Sequence, residues 1–197
     1  LEYRSRYGSE TQVRIYLFLA STQPTDMIEA TLCFPLRDRD CSDGHATDSG
    51  SKREVLLIEK RRGLGAGWYN GPGGKCEPGE DPRRCAIRET REEVGLEVHA
   101  LEKAAELTFL LDGEIHTFCH VYRTRSVTGT PTASEEADPE WVPVDEVPYD
   151  QMWEDDRLWL PGVLEGRSVT ATFRFAGGEP LDEAAFVGHD LDWDATV

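Results

Sequence analysis

The stretch "GPGGKCEPGEDPRRCAIRETREEVGL", Gly71–Leu96, sets six acidic and five basic side chains behind a run of glycines, with few apolar groups among them. Glu80, Glu89, Glu92 and Glu93 are the residues whose spacing asks for a reason. The second half carries helix punctuation: Asp81 suits an N-cap, Pro82 the first helical position and Gly95 the C-terminal cap. On such a helix, at about 100° per residue, Glu89, Glu92 and Glu93 fall within an arc of roughly 100°. Ala86, Ile87, Thr90 and Val94 gather on another face, which predicts packing on a sheet. Three carboxylates side by side repel unless a cation neutralises them. Hard divalent cations such as Mg²⁺ take oxygen ligands of this kind, usually together with substrate phosphates. Arg88, one turn before Glu92, can pair with a carboxylate and orient it. The plainer alternative is a solvated face laced with i,i+4 ion pairs. Arg88 and Glu92 fit it, whereas Glu89 and Glu93 set like charges against each other.

The composition excludes several partners. A chain of 197 residues with 39% apolar and 9% aromatic residues is expected to fold as a globular domain. Its formal charge of −17 argues against nucleic acid and against membrane surfaces. Lysine is scarce, at Lys52, Lys60, Lys75 and Lys103, and acid excess of this kind points to a halophilic setting where salt screens self-repulsion, the plainer alternative being an acidic mesophilic protein. Cys33, Cys41, Cys76, Cys85 and Cys119 form no CxxC pair, and their odd number fits a reducing compartment. The apolar run Ile15–Ala20 is too short to span a bilayer and makes a poor signal sequence. A cytoplasmic location is expected.

Residues 1–26 differ in composition from the rest and read as an N-terminal extension, loosely packed or foreign to the native product; residues 27–197 read as one domain. "MIEATLCFPL" begins a buried strand at Met27, Arg37–Lys52 reads as a long polar hairpin loop, and Glu54–Lys60 as the returning strand. Further strands are expected at Glu106–Leu111, Ile115–Thr124, Glu140–Val144 and Val169–Phe175, with a second helix near Asp155–Leu164. The simplest class is α+β with a mixed sheet.

The offsets in the opening stretch also resemble a known signature. Gly74, five residues, Glu80, seven residues, then Arg88 to Leu96 as "RETREEVGL" is similar to the Nudix box, GX5EX7REUXEEXGU with U a bulky aliphatic residue. Thr90 stands at the first U position, a departure on the packing side that leaves every charged position in place. The resemblance implies the Nudix fold, an α/β/α sandwich around a mixed β-sheet. It also implies hydrolysis of a nucleoside diphosphate linked to another group, with Mg²⁺ or Mn²⁺. By carry-over Glu92 and Glu93 are metal ligands, Glu89 a ligand or base, Arg88 their orienting partner, and the Gly73 carbonyl a further ligand.

Outside the box, Lys60–Lys75, Met152–Trp159 and Phe173–Leu181 resemble the branch of the family that acts on oxidised purine nucleoside triphosphates, in order and with similar spacing. The resemblance implies that Asn70 and the pair Asp155–Asp156 read the base. Trp153 would stack on it, Thr31, Lys60 and Lys75 would complete the substrate-binding set, and Glu136 would be an extra acid facing the metals. Each has a plainer role: Asn70 in a turn, the aspartates at a helix start, Trp153 in the core, Lys60 as a strand charge. Leu64 and Pro72 depart from the aromatic residues of the animal enzymes, which predicts a differently shaped pocket. The expected partner is a nucleoside triphosphate and the expected assembly a monomer or homodimer. Competing readings are hydrolysis of ADP-ribose or a nucleotide sugar, with residues 1–26 swapped between subunits, and a domain that binds nucleotide without turnover.

Overall fold

A computed structural model describes residues 27–39 and 53–197; the expectations for residues 1–26 and for most of the 37–52 loop lie outside them. Strand β1, Ile28–Asp38, organises the rest. Over Ile28–Pro35 it runs parallel to β7, Glu114–Thr124. Its other edge is shared: Ala30–Leu32 pairs antiparallel with β4, Gly73–Lys75, and Leu36–Asp38 with β2, Arg53–Lys60. Outward on one side lie β6 (Glu102–Leu111), β10 (Val169–Ala176) and the edge strand β11 (Ala185–Trp193). On the other, β2 is flanked by β3 (Tyr69–Asn70) and β9 (Ala137–Pro143). The sheet is mixed, because β1–β7 and β6–β10 are parallel and the other ladders antiparallel. A separate short ladder joins β5, Glu97–His99, to β8, Ser126–Thr128.

Alternation along the strands sends neighbouring side chains to opposite faces, and here both faces are covered. Cys33 packs with Ala86 of helix α1, Pro82–Val94, whereas Phe34 packs with Trp159 and Leu160 of helix α2, Asp156–Glu165. In β2, Leu56 and Ile58 join Val94 on the α1 side, while Val55 and Leu57 face the α2 core. This explains why β2 reads as an unbroken apolar run. The architecture is the expected α/β/α sandwich, an α+β fold. Among the described residues no helix is long and apolar enough to cross a membrane.

Three expectations need correction. Glu93 does not stand on the open face with Glu92: it is buried beside Ala86 and Val94, and Ile87 is only partly buried. The strand expected at Glu140–Val144 runs from Ala137 to Pro143, in register with β2. The edge strand β11, "AFVGHDLDW", went unread because its aspartates and exposed alternation resemble a loop. The Phe34 ring is fully buried and meets Trp159 edge-on at 5.9 Å. Phe34→Ala should therefore cost about 3–5 kcal/mol in urea unfolding; a loss below about 1 kcal/mol would contradict this account of the α2-side core.

Candidate active site

Helix α1 is fixed at both ends as its punctuation implies. The Asp81 carboxylate accepts from the Arg84 N–H at 3.2 Å, and Gly95, at φ 71°, closes the C-terminus through its N–H to the Arg91 carbonyl. Arg88 gathers the carboxylates. It forks onto Glu80, donating from Nε at 2.9 Å and Nη2 at 2.7 Å, while Nη1 donates to Glu89 at 2.6 Å and Glu92 at 3.2 Å. The i,i+4 partner Glu92 is thus the longest of Arg88's carboxylate contacts, and the firmest anchor is Glu80 in the preceding loop. The Arg88 bonds, with the Glu77 N–H, pull the Glu80 carboxyl down to about 2. Glu80 therefore orients the orienting arginine, a role that the sequence marks only through its fixed spacing from Gly74.

Glycines admit the other two glutamates. A Cβ on Gly74 would lie 2.5 Å from a Glu89 carboxylate oxygen, and one on Gly73 would lie 2.0 Å from the Thr31 carbonyl. Glu93 accepts the Gly73 N–H at 2.8 Å. Burial raises the Glu93 carboxyl to about 7; the Gly73 N–H and Lys60 oppose the rise, while Glu89 and Glu136 add to it. Burial raises Glu89 as well, against Arg88. Glu136 is itself paired with Arg62. Among the described residues no three acidic, histidine or cysteine side chains already form an ion cage, because Arg88 holds Glu89 and Glu92 to itself. The donor set nevertheless fits a hard divalent cation: it is all oxygen and partly buried, and burial, with like charge added, raises Glu89 and Glu93.

Beside Gly73 and Gly74 opens a cavity of about 190 Å³. Thr31, Lys60, Asn70, Lys75, Trp153, Asp155 and Asp156, the entire expected substrate-binding set, line it together with Gly73. The structure shows several of the plainer roles too. Asn70 Oδ1 accepts the Gly71 N–H at 2.8 Å, a turn contact that leaves the amide NH₂ as its polar offer to a ligand. Thr31 Oγ1 donates to the Cys85 sulfur at 3.4 Å. Trp153 meets Trp68 edge-on at 5.1 Å. Asp155 occupies the N-cap position of α2 but makes no capping bond. Its Oδ2 accepts the Trp159 indole N–H at 3.3 Å, and its Oδ1 is buried without a partner. Asp156 accepts the Trp153 N–H at 3.2 Å. Burial raises Asp155 to about 7 and Asp156 well above the usual carboxylate range, with Asp155's charge adding to the latter. A carboxyl held neutral in such a pair can donate as well as accept. Leu64, expected to reshape the pocket, lines it, whereas Pro72 is not among its lining residues; Phe109, Cys119 and Leu181 also line it, apolar residues from separate segments that carry no common sequence signal. A larger hollow of about 610 Å³ lies by the C-terminus of α2, where Arg53 and Arg123 donate to the Leu164 and Val163 carbonyls.

The aspartates set a pH dependence. Asp155 binds its proton more tightly folded, at about 7, than at its ordinary 3.8. Its stabilising contribution is therefore full below about pH 4 and fades as pH rises towards 7. Asp155→Asn should flatten this slope, gaining on the order of a kcal/mol or more relative to the parent at pH 8 against pH 5. Thermal melts at the two pH values check it, and an unchanged difference would contradict the buried, protonated pair.

The sequence matches the NUDIX domain family over residues 46–163. It is similar to the oxidized purine nucleoside triphosphate hydrolase of Danio rerio, at 40% identity over 139 residues, covering 70% of this chain and 86% of the relative. The protein of the same name from Mus musculus is 40% identical over 124 residues, covering 62% of this chain and 80% of the relative. In fold it is similar to the MutT protein from Bacillus halodurans, with a TM-score of 0.63 at 24% identity, covering 84% of this chain and 97% of that one. The glycines of β4, the glutamates of α1 and the arginine that gathers them lie inside the matched segment, and the chain belongs to the Nudix family.

Proposed function

We propose that the protein hydrolyses oxidised purine nucleoside triphosphates such as 8-oxo-dGTP to the nucleoside monophosphate and diphosphate, clearing damaged nucleotides from the precursor pool. The observation that carries this reading is the buried Asp155–Asp156 pair, with an unpartnered Oδ1, in a cavity lined by Gly73 and Gly74, the glycines against which Glu93 and Glu89 lie. A protonated carboxyl beside a carboxylate, in the cavity that the Asn70 amide also lines, offers donors and acceptors to a purine edge. Similarity to relatives named for that activity supports the same reading.

Glu89, Glu92 and Glu93, with the Gly73 carbonyl and Glu136, would hold Mg²⁺ or Mn²⁺. The ion would supply charge neutralisation for the phosphates and a lowered pKa for the attacking water. Arg88, fixed by Glu80, holds Glu89 and Glu92 together on α1. Glu89 either ligates or takes the water's proton. Lys60 and Lys75 attract the polyphosphate, and Trp153 supplies an aromatic face for the base. Water adds across one P–O–P bridge, and the bridging oxygen leaves with one of the two products. In the same proposal the enzyme works in the cytoplasm as a monomer or homodimer, apart from nucleic acid and membranes, at the high salt its charge favours.

Diphosphate release from 8-oxo-dGTP, 2-oxo-dATP, dGTP and dATP, with AMP release from ADP-ribose, tests the reading. An oxidised purine triphosphate should lead, and Asp155→Asn or Asn70→Ala should erode that preference by about 10- to 100-fold. Preference for ADP-ribose would overturn it. Glu93→Gln should lower metal-dependent turnover by about 10³-fold; full activity in that variant would remove Glu93 from the metal set. Thermal melts in molar KCl should lie above those at low salt, and a Tm that fails to rise would dismiss the halophilic reading.

A further inference from the structure

Two segments that the chemistry above does not use close the outer side of the cavity. One is the flap 61–68 between β2 and β3. Gly63, Gly65 and Gly67 take φ of 77°, 74° and 86°, a region that glycine enters at little cost. The backbone doubles back through the Ala66 N–H to the Gly63 carbonyl at 3.1 Å and the Trp68 N–H to the Gly65 carbonyl at 3.0 Å. Leu64 is left at the tip, lining the cavity while still 43% exposed. The other segment is the strap 177–184 between β10 and β11. The Gly177 and Gly178 N–H groups donate to the two carboxylate oxygens of Asp112 at 3.1 and 3.0 Å, and Glu179 meets His116 at 3.0 Å. Leu181, buried, lines the same cavity as Leu64.

A side chain of the strap reaches the flap. Asp182, in the short turn Leu181–Glu183, accepts the Gly65 N–H at 3.1 Å from 117 residues away. On its other side Gly65 lies against Trp153, where an added Cβ would come within 3.4 Å of the indole nitrogen. The flap tip is thus held between a carboxylate and the tryptophan wall.

We propose that Asp182 is a positioning residue for nucleobase selection, latching the glycine flap so that Leu64 and Trp153 present a fixed wall opposite Leu181. The proposal rests on reading the cavity as the base pocket. A flap with three glycines loses much entropy when ordered. A charge-assisted bond that orders it beforehand spares the ligand that cost on binding. Asp182 acts through Gly65, so its loss should weaken binding of the base rather than slow the chemistry at phosphorus.

The test compares Asp182→Ala and Asp182→Asn in the full chain by steady-state kinetics on 8-oxo-dGTP and dGTP and by amide hydrogen exchange over residues 61–68. Asp182→Ala should raise KM for 8-oxo-dGTP about 10-fold with kcat within about 2-fold, narrow the preference over dGTP, and speed exchange in the flap about 10-fold. Asp182→Asn keeps an acceptor oxygen and should stay within about 3-fold of the parent in every measure. Exchange that does not change in Asp182→Ala, or a fall in kcat with KM held, would overturn the latch. If the parent protein ignores purine triphosphates, the proposed substrate falls by itself and flap exchange alone judges the latch.

Discussion

The hydrogen bond from the Gly73 N–H to the buried Glu93 carboxylate is the constraint around which the active site is built. It ties β4 to α1 at the point where β4 also pairs with β1. That approach is possible only without side chains on the strand, since a Cβ at Gly73 would collide with the Thr31 carbonyl and one at Gly74 with Glu89. Glycines and glutamates therefore come as one unit. The glycines let the strand lie flat between β1 and the helix, and the glutamates project into the space left open. Asp81 and Gly95 fix the ends of the helix and hence the heights at which its carboxylates emerge.

The cavity joins two groups of acids that solve the same problem differently. At the phosphate end, Glu89 and Glu93 are pushed up by burial and by like charge, and Arg88 offsets part of that cost through Glu80, Glu89 and Glu92. In the proposed function a divalent cation would complete the neutralisation. At the other end no arginine approaches Asp155 and Asp156 among the hydrogen bonds they make; burial favours their neutral forms instead. One end is thus suited to polyphosphate with its metal and the other to the polar edge of a base.

The sequence made the first group legible and only part of the second. Spacing alone placed Glu89, Glu92 and Arg88 on a capped helix, because helix geometry converts sequence offsets into angles. It misjudged Glu93, whose burial depends on the strand laid over it rather than on the helix period. Asn70, Trp153 and the aspartates could be gathered only through family resemblance, since they come from separate segments brought together by the sheet. The β11 strand and Asp182 were invisible for a related reason: aspartates and a glycine interrupt the apolar residues Phe186, Leu191 and Trp193 of an edge strand, and the Asp182–Gly65 contact spans 117 residues.

The central claim is that the α1 carboxylates form a cation site completed by Glu93. Thermal melts of the parent and of Glu93→Gln during a Mg²⁺ titration at fixed ionic strength test it without recourse to turnover. The account predicts a saturable rise in Tm for the parent, and at most a weak one in the variant, because a bound ion stabilises the folded state by mass action. Equal rises in both proteins, or none in the parent, would contradict it.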